Sequence, residues 1–150
     1  MGREIRTFNI GEEIPALTKN MTQDAINRFE GSSGESGPSQ FTDEETAKGV
    51  LGTSGTVASG RMSLTFAIEM LRRYFGPDVY NHRGTVDLRF LRPVRPGDSI
   101  TFSGVIASVN REANGSRVQI DITATNQKGD TTAVGPVSYT HLTLPTNREV

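Results

Sequence analysis

One loop of this 150-residue chain has the outline of a reacting site: "GSSGESGPSQFTDEETA", residues 31–47. Small residues surround one carboxylate, Glu35; Pro38 stiffens the turn after it, and Gln40 and Phe41 lead into an acidic helix start. A carboxyl group in such a loop exchanges protons near neutrality only where burial raises its pKa. Glu35 is therefore either a general base or a solvated surface charge, the ordinary state of a loop Glu. Gln40 cannot exchange protons near pH 7; its amide can only hold water or substrate by hydrogen bonds. The chain has two histidines, neither in this loop: His82 in "VYNHRGT" and His141 near the C-terminus. His82 reads as a solvated loop residue or as a substitute acid/base.

Those residues need elements to hold them. Segment 22–30, "TQDAINRFE", offers Thr22 as a helix N-cap, with Ala25, Ile26 and Phe29 on one face. "TDEE" at 42–45 has a capping-box pattern, in which Thr42 caps, Glu45 reaches back and a short helix runs to about Lys48. Asp43 and Glu44 then sit where the helix dipole favours negative charge. From Val57 to Phe75 apolar residues cover most of a helical circumference, which predicts a buried helix, and Gly76-Pro77 stops it.

After residue 84 the period changes to two. "TVDLRFL" puts Val86, Leu88 and Phe90 on one face, and "SITFSGVIASV" and "SRVQIDITAT" alternate in the same way. Asn114-Gly115 in the connection predicts a tight hairpin turn with positive φ, and "QKGD" a second turn. The predicted fold class is α+β, with a long buried helix crossing the concave face of an antiparallel sheet whose strands begin near Thr85, Ser99 and Ser116.

Length and composition bound the function. The chain suits one domain with a real core. With 16 Lys+Arg against 17 Asp+Glu the net charge is -1, so no electrostatic footprint for nucleic acid or an anionic membrane is expected. Zero Cys excludes disulfides, thiolate metal sites and cysteine nucleophiles. No metal and no cofactor are expected. No apolar run approaches the roughly 20 residues that span a bilayer, and the first residues hold no signal-peptide core, so a cytoplasmic location is expected.

Residues 137–146, "VSYTHLTLPT", match one reading frame of a transposase-end adapter used in sequencing libraries. On that reading one domain covers 1–135, and 136–150 is adapter translation that leaves His141 out of the chemistry. The other reading is a genuine final strand, for which Val137, Tyr139 and Thr143 are suitable residues.

The order of "SSGESGP", "TDEETA", "VASGRMS", "RFLRPVRPGDSITFSGVI" and "TNQKGD" resembles the MaoC-like hydratase family of the hot-dog fold over roughly residues 5–135. The resemblance implies a helix wrapped by an antiparallel sheet and dimers, of identical or different hot-dog subunits, joined edge to edge. It also implies (R)-specific hydration or dehydration of thioesters of coenzyme A or an acyl carrier protein, as in fatty acid metabolism.

The family's loop runs Ser-Gly-Asp, two residues, Pro, one residue, His. Here Ser33-Gly34-Glu35 matches with Glu for Asp, and the His position falls on Gln40 counted from the left or Phe41 counted from the right. The family's His-Gly at the helix start is Ser59-Gly60. The resemblance makes Glu35 and Gln40 the catalytic candidates, and Ser59, Gly60 and Ser63 the oxyanion and substrate-binding candidates. A Gly60 N–H near a helix start suits an enolate oxygen, although glycine there equally serves close packing. Arg89, Arg92 and Arg95 suit either carrier phosphates or a solvated edge strand. The missing His leaves three readings open: a hydratase using one carboxylate, a non-catalytic thioester-binding subunit, and a thioesterase.

Overall fold

The computed structural model describes residues 7–32, 37–77, 79 and 83–142. Its centre is a hairpin of β4 (Asp98–Glu112) and β5 (Gly115–Thr125). Alternation sends Ile100, Phe102 and Ile106 of β4, and Val118, Ile120, Ile122 and Ala124 of β5, to one face, each at most 2% exposed. β6 (Thr131–Leu142) pairs with β5, and β1 (Glu13–Met21) pairs with β4. Two short strands, β2 (Thr85–Val86) and β3 (Arg89–Phe90), lie on the far side of β6 and complete an antiparallel six-stranded sheet.

Three helices are described: α1 (Gln23–Ser32), α2 (Glu44–Leu51) and α3 (Gly60–Phe75). α3 packs Met62, Ala67, Ile68, Met70, Leu71 and Phe75 into one core with the inner residues of the sheet. Burying Ile68 and Leu71 contributes about 1.5–3 kcal/mol each. The α+β layout of a long helix wrapped by an antiparallel sheet is the one expected. α1 starts as read from sequence, with the Thr22 Oγ1 accepting from Ala25 N–H and Ile26 fully buried.

Local corrections have local causes. α3 starts at Gly60 instead of Val57, because Val57 and Ala58 donate their N–H groups sideways to the Gln40 and Val94 carbonyls. Its outer side exposes Arg61, Thr65, Arg72 and Arg73, so it is amphipathic, not apolar nearly all round. α2 is capped by Asp43 and not by Thr42, whose hydroxyl already accepts from Ser39 N–H, and it runs on to Leu51. The β4–β5 loop is Ala113-Asn114, and neither residue has positive φ. Gly115 instead admits the backbone of β6: a Cβ there would sit 2.0 Å from the His141 carbonyl oxygen.

The outer edge also departs from expectation. Val86 and Phe90 are 40% and 52% exposed, so "TVDLRFL" does not turn a continuous face into the core. The ladder is interrupted at Asp87 and Leu88, opposite Pro136 and Gly135, although the register is unbroken from Val86↔Val137 to Arg89↔Val134 and Asp87 N–H still donates to the Pro136 carbonyl at 3.0 Å. Pro136 has no N–H for the ladder.

β6 runs through the boundary drawn at 135. Val137 and Tyr139 are at most 1% exposed, and the Tyr139 ring lies 5.4 Å from that of Phe75, edge to face. Truncation after Gly135 is expected to lower stability by at least about 3–5 kcal/mol, the usual cost of losing one buried aromatic, read as the thermal midpoint. The adapter reading concerns the gene, and it requires codons across 137–146 that spell the adapter; other codons end it.

Candidate active site

The loop leading into α2 is set by its own short side chains. Ser39 accepts at its carbonyl from Thr42 N–H (3.1 Å) and Asp43 N–H (2.8 Å), and its hydroxyl accepts from Phe41 N–H (3.2 Å). That turn fixes where Gln40 and Phe41 point. Asp43 closes it by accepting from the hydroxyl and the N–H of Thr46, and these bonds, the hydroxyl first, hold its carboxyl below the usual value. Stability from this cap is present at neutral pH and is lost as the pH falls through the lowered pKa.

Two residues tie this loop to the segment that leads into α3. The Gln40 carbonyl accepts from Val57 N–H at 3.3 Å. Gln23, the first residue of α1, donates to the Phe41 carbonyl (2.9 Å) and accepts from the Thr56 hydroxyl (2.5 Å). On the other side, Arg95 Nη1 reaches the carbonyls of Ser54, Gly55 and Thr56 at 3.3, 2.9 and 3.4 Å. Arg95 is thus engaged by backbone, whereas Arg89 and Arg92 stay exposed on the edge.

Ser59 then caps α3. Its backbone is extended, and its Oγ accepts from Met62 N–H at 3.3 Å while donating to Glu30 Oε2 at 2.8 Å. The other Glu30 oxygen accepts from Arg61 Nη2 at 2.7 Å. Ser63 is buried one turn further on, on the same helical face as Ser59. Gly60 lies between Ser59 and Arg61 in the first turn, where helix geometry supplies no carbonyl for its N–H. A Cβ on Gly60 would meet the Phe90 ring at 2.9 Å, so the glycine does serve close packing against β3.

The structure therefore brings Gln40, Ser59, Gly60 and Ser63 to one region, through the Gln40–Val57 bond and the Ser59 cap. Glu35 and His82 lie outside the described residues. The Phe41 ring packs against the core. His141, set aside with the tail, has its ring against Phe8 at 4.9 Å and its Nδ1 at 2.9 Å from the Tyr139 hydroxyl. Among the described residues no group of three or more His, Cys, Asp or Glu is placed to hold a metal ion. No helix of the described residues is long and apolar enough to cross a membrane.

The parts played by Glu30, Gln23 and Arg95 are not legible in the sequence, because each acts on partners 18 to 41 residues away. Gln23→Ala is expected to cost about 1–3 kcal/mol, since it strips partners from part-buried polar groups. Denaturant unfolding measures that, and an unchanged midpoint would mean water replaces the bridge.

The family model described as MaoC like domain matches residues 7–128. A search of the curated proteins found no match. Among solved structures, the chain is similar to a monoamine oxidase regulatory protein from Archaeoglobus, at 26% identity and TM-score 0.76, covering 92% of this chain and 93% of that one. It is similar to the R-hydratase PhaJ1 from Pseudomonas aeruginosa at 19% identity and TM-score 0.72, covering 91% and 84%. The C-terminally truncated HadBC (3R-hydroxyacyl-ACP dehydratase) complex from Mycobacterium tuberculosis matches at 19% identity and TM-score 0.68, covering 93% and 98%. These likenesses share the hot-dog fold.

Proposed function

Because this chain belongs to the MaoC-like domain family, we propose that it is a hydratase or dehydratase of enoyl and 3-hydroxyacyl thioesters with an altered catalytic pair. The observation that carries this reading is the bond from Val57 N–H to the Gln40 carbonyl, 3.3 Å long, which docks the motif loop three residues before Gly60. That bond supports a site shared by the motif loop and the helix start.

In this reading Glu35 takes a proton from water as the water oxygen bonds to the β-carbon of the enoyl thioester. The electron pair of the C=C bond moves through the α-carbon toward the thioester oxygen, which becomes an enolate. Gly60 N–H donates to that oxygen, where a preorganised donor is worth most. Glu35 then returns the proton to the α-carbon, and the C–S bond is untouched. Gln40 holds the water or the substrate by its amide, and Ser59 and Ser63 line the helix start. The thioester is carried by coenzyme A or an acyl carrier protein. A second hot-dog subunit, the same chain or a different one, joins at the outer edge, where Val86, Phe90 and Leu91 are 40–57% exposed.

The second reading is a non-catalytic thioester-binding subunit paired with an active one. It is favoured by a specific feature: neither Gln40 nor Phe41, the two residues at the family's His position, titrates.

Crotonyl-CoA hydration, assayed beside acyl-CoA hydrolysis, separates these readings and the thioesterase. Glu35→Gln is expected to abolish hydration, and Gln40→His to raise it by restoring a base near the working pH. Gly60→Pro supplies a sharper test. Proline is tolerated at a first helical position, and the extended backbone of Ser59 is the conformation required before it. It deletes the N–H and, like alanine, adds a Cβ against the Phe90 ring, so hydration should fall about 10²- to 10³-fold below that of Gly60→Ala, with the helix retained by circular dichroism. Gly60→Ala, which keeps the N–H, is the steric control. If the wild-type protein and Gln40→His both hydrate nothing yet bind the thioester, the binding subunit is the right reading.

A further inference from the structure

Glu30 has no part in the hydratase reading, and its position is costly. It lies in the last turn of α1, 3% exposed, where both burial and the negative end of the α1 dipole oppose a carboxylate. What offsets these costs comes from the first turn of another helix. Ser59 donates its hydroxyl to one oxygen (2.8 Å) and Arg61 its guanidinium to the other (2.7 Å). The Glu30 and Arg61 side chains are 4% and 49% exposed, so the pair runs from the interior toward the surface. The positive end of the α3 dipole adds to the same attraction.

The residue between the two gripped ones is Gly60. Glycine has the widest backbone freedom of any residue, and the first N–H of a helix is not held by the helix itself. An unrestrained Gly60 would let that N–H wander. Fixing the side chains on both sides removes this freedom. The Ser59 hydroxyl has a double duty here, because the oxygen that donates to Glu30 also accepts from Met62 N–H (3.3 Å), so the carboxylate and the helix cap share one atom.

We infer that Glu30 is a positioning residue for the reaction: through Ser59 and Arg61 it aims the Gly60 N–H at the thioester oxygen. This inference rests on the proposed oxyanion role of Gly60. Arg61 has a second part in it. A buried carboxylate alone would oppose the negative charge that develops on the enolate, and the guanidinium at 2.7 Å cancels it.

The test uses the full chain and reads Gly60 in two independent ways. Glu30→Gln keeps the size and a hydroxyl acceptor but removes the charge that holds Arg61. Expected results are a kcat for crotonyl-CoA hydration lowered about 10- to 100-fold, the range of a misplaced catalytic group, with KM within about twofold, since the uniform binding is kept. The second readout needs no turnover: the amide resonance of Gly60, in protein labelled with ¹⁵N-glycine, is followed on adding butyryl-CoA, a saturated thioester that cannot be hydrated. In the wild type the resonance should move downfield; in Glu30→Gln the movement should shrink or vanish. A folded Glu30→Gln with kcat and the Gly60 response both unchanged overturns the inference and leaves Glu30 as a fold contact. If the wild type hydrates nothing, that failure belongs to the hydratase reading, and the Gly60 response alone decides the role of Glu30. If Glu30→Gln does not fold, Arg61→Gln, which removes the guanidinium from Glu30 and leaves the Ser59 cap in place, is read by the same two measurements with the same expectations.

Discussion

The first four N–H groups of any α-helix lack an acceptor four residues back, and in this chain the helix that needs them satisfied starts with one side inside the protein and Arg61 at the surface. Ser59, Met62 and Ser63 are each at most 4% exposed, so water cannot meet that need freely. Much of the surrounding architecture answers this one constraint. Ser59 turns extended and caps; Glu30 comes in from α1 to hold the cap; Arg95 and Gln23 hold the segment before it. The same constraint explains why α3 cannot begin at Val57. Three more residues of helix would have to give up the bonds from Val57 and Ala58 to Gln40 and Val94 that fasten the helix start to two loops. A buried helix N-terminus is thus both an obligation for the fold and a ready electrostatic site.

The parts of the fold that the sequence makes legible are those whose signal is local and periodic. β4 alternates over residues 100–106 and β5 over 118–124, α1 carries its cap and its apolar face within ten residues, and Gly76, at φ +89, ends α3 where a Gly-Pro stop is written. β1 gives no such signal because the strand slips register between Ile14 and Leu17, around Pro15, which puts Ile14 and the later inward positions Leu17, Lys19 and Met21 on different parities, and one of those positions is a lysine. The outer edge misleads in the opposite sense. "TVDLRFL" alternates well, but an edge strand beside Pro136 pairs only in fragments and leaves Phe90 half outside. Alternation reports that a strand has two faces, not that one of them is covered. In the site, Gln40, Ser59 and Gly60 are legible through the family's pattern of spacing. Glu30 is not, since nothing around position 30 announces a partner at 59 or 61.

The last strand shows how little a sheet asks of a segment it takes in. Once Thr131–Gly135 is paired with β5, the next residues need only alternate and carry β-compatible side chains to continue the ladder. "VSYTHL" does so: Val137 and Tyr139 turn inward, and His141 packs its ring on Phe8. Burial of Tyr139 therefore carries no information on whether these residues belong to the natural gene. Binary pattern is enough for a place in a sheet, and the origin of the string is a matter of codons.

The site presents a compact electrostatic problem. A helix start offers one region of positive potential, and two negative groups would use it in the hydratase reading: the Glu30 carboxylate and, during reaction, the enolate oxygen. Placed alone, Glu30 would occupy that potential and weaken the oxyanion donor beside it. In that reading geometry helps to separate the two demands: Glu30 is met by the Ser59 hydroxyl and the Arg61 guanidinium, side chains of the two residues that flank Gly60. Arg61, 2.7 Å from the Glu30 carboxylate, offsets part of the charge that Glu30 brings to the helix start. A neutral substitute at either position would leave the fold one partner short and, on the same reading, leave the oxyanion donor in the field of an unbalanced charge. On that reading, stability and chemistry would be coupled through a single pair of side chains, neither of which need touch the substrate.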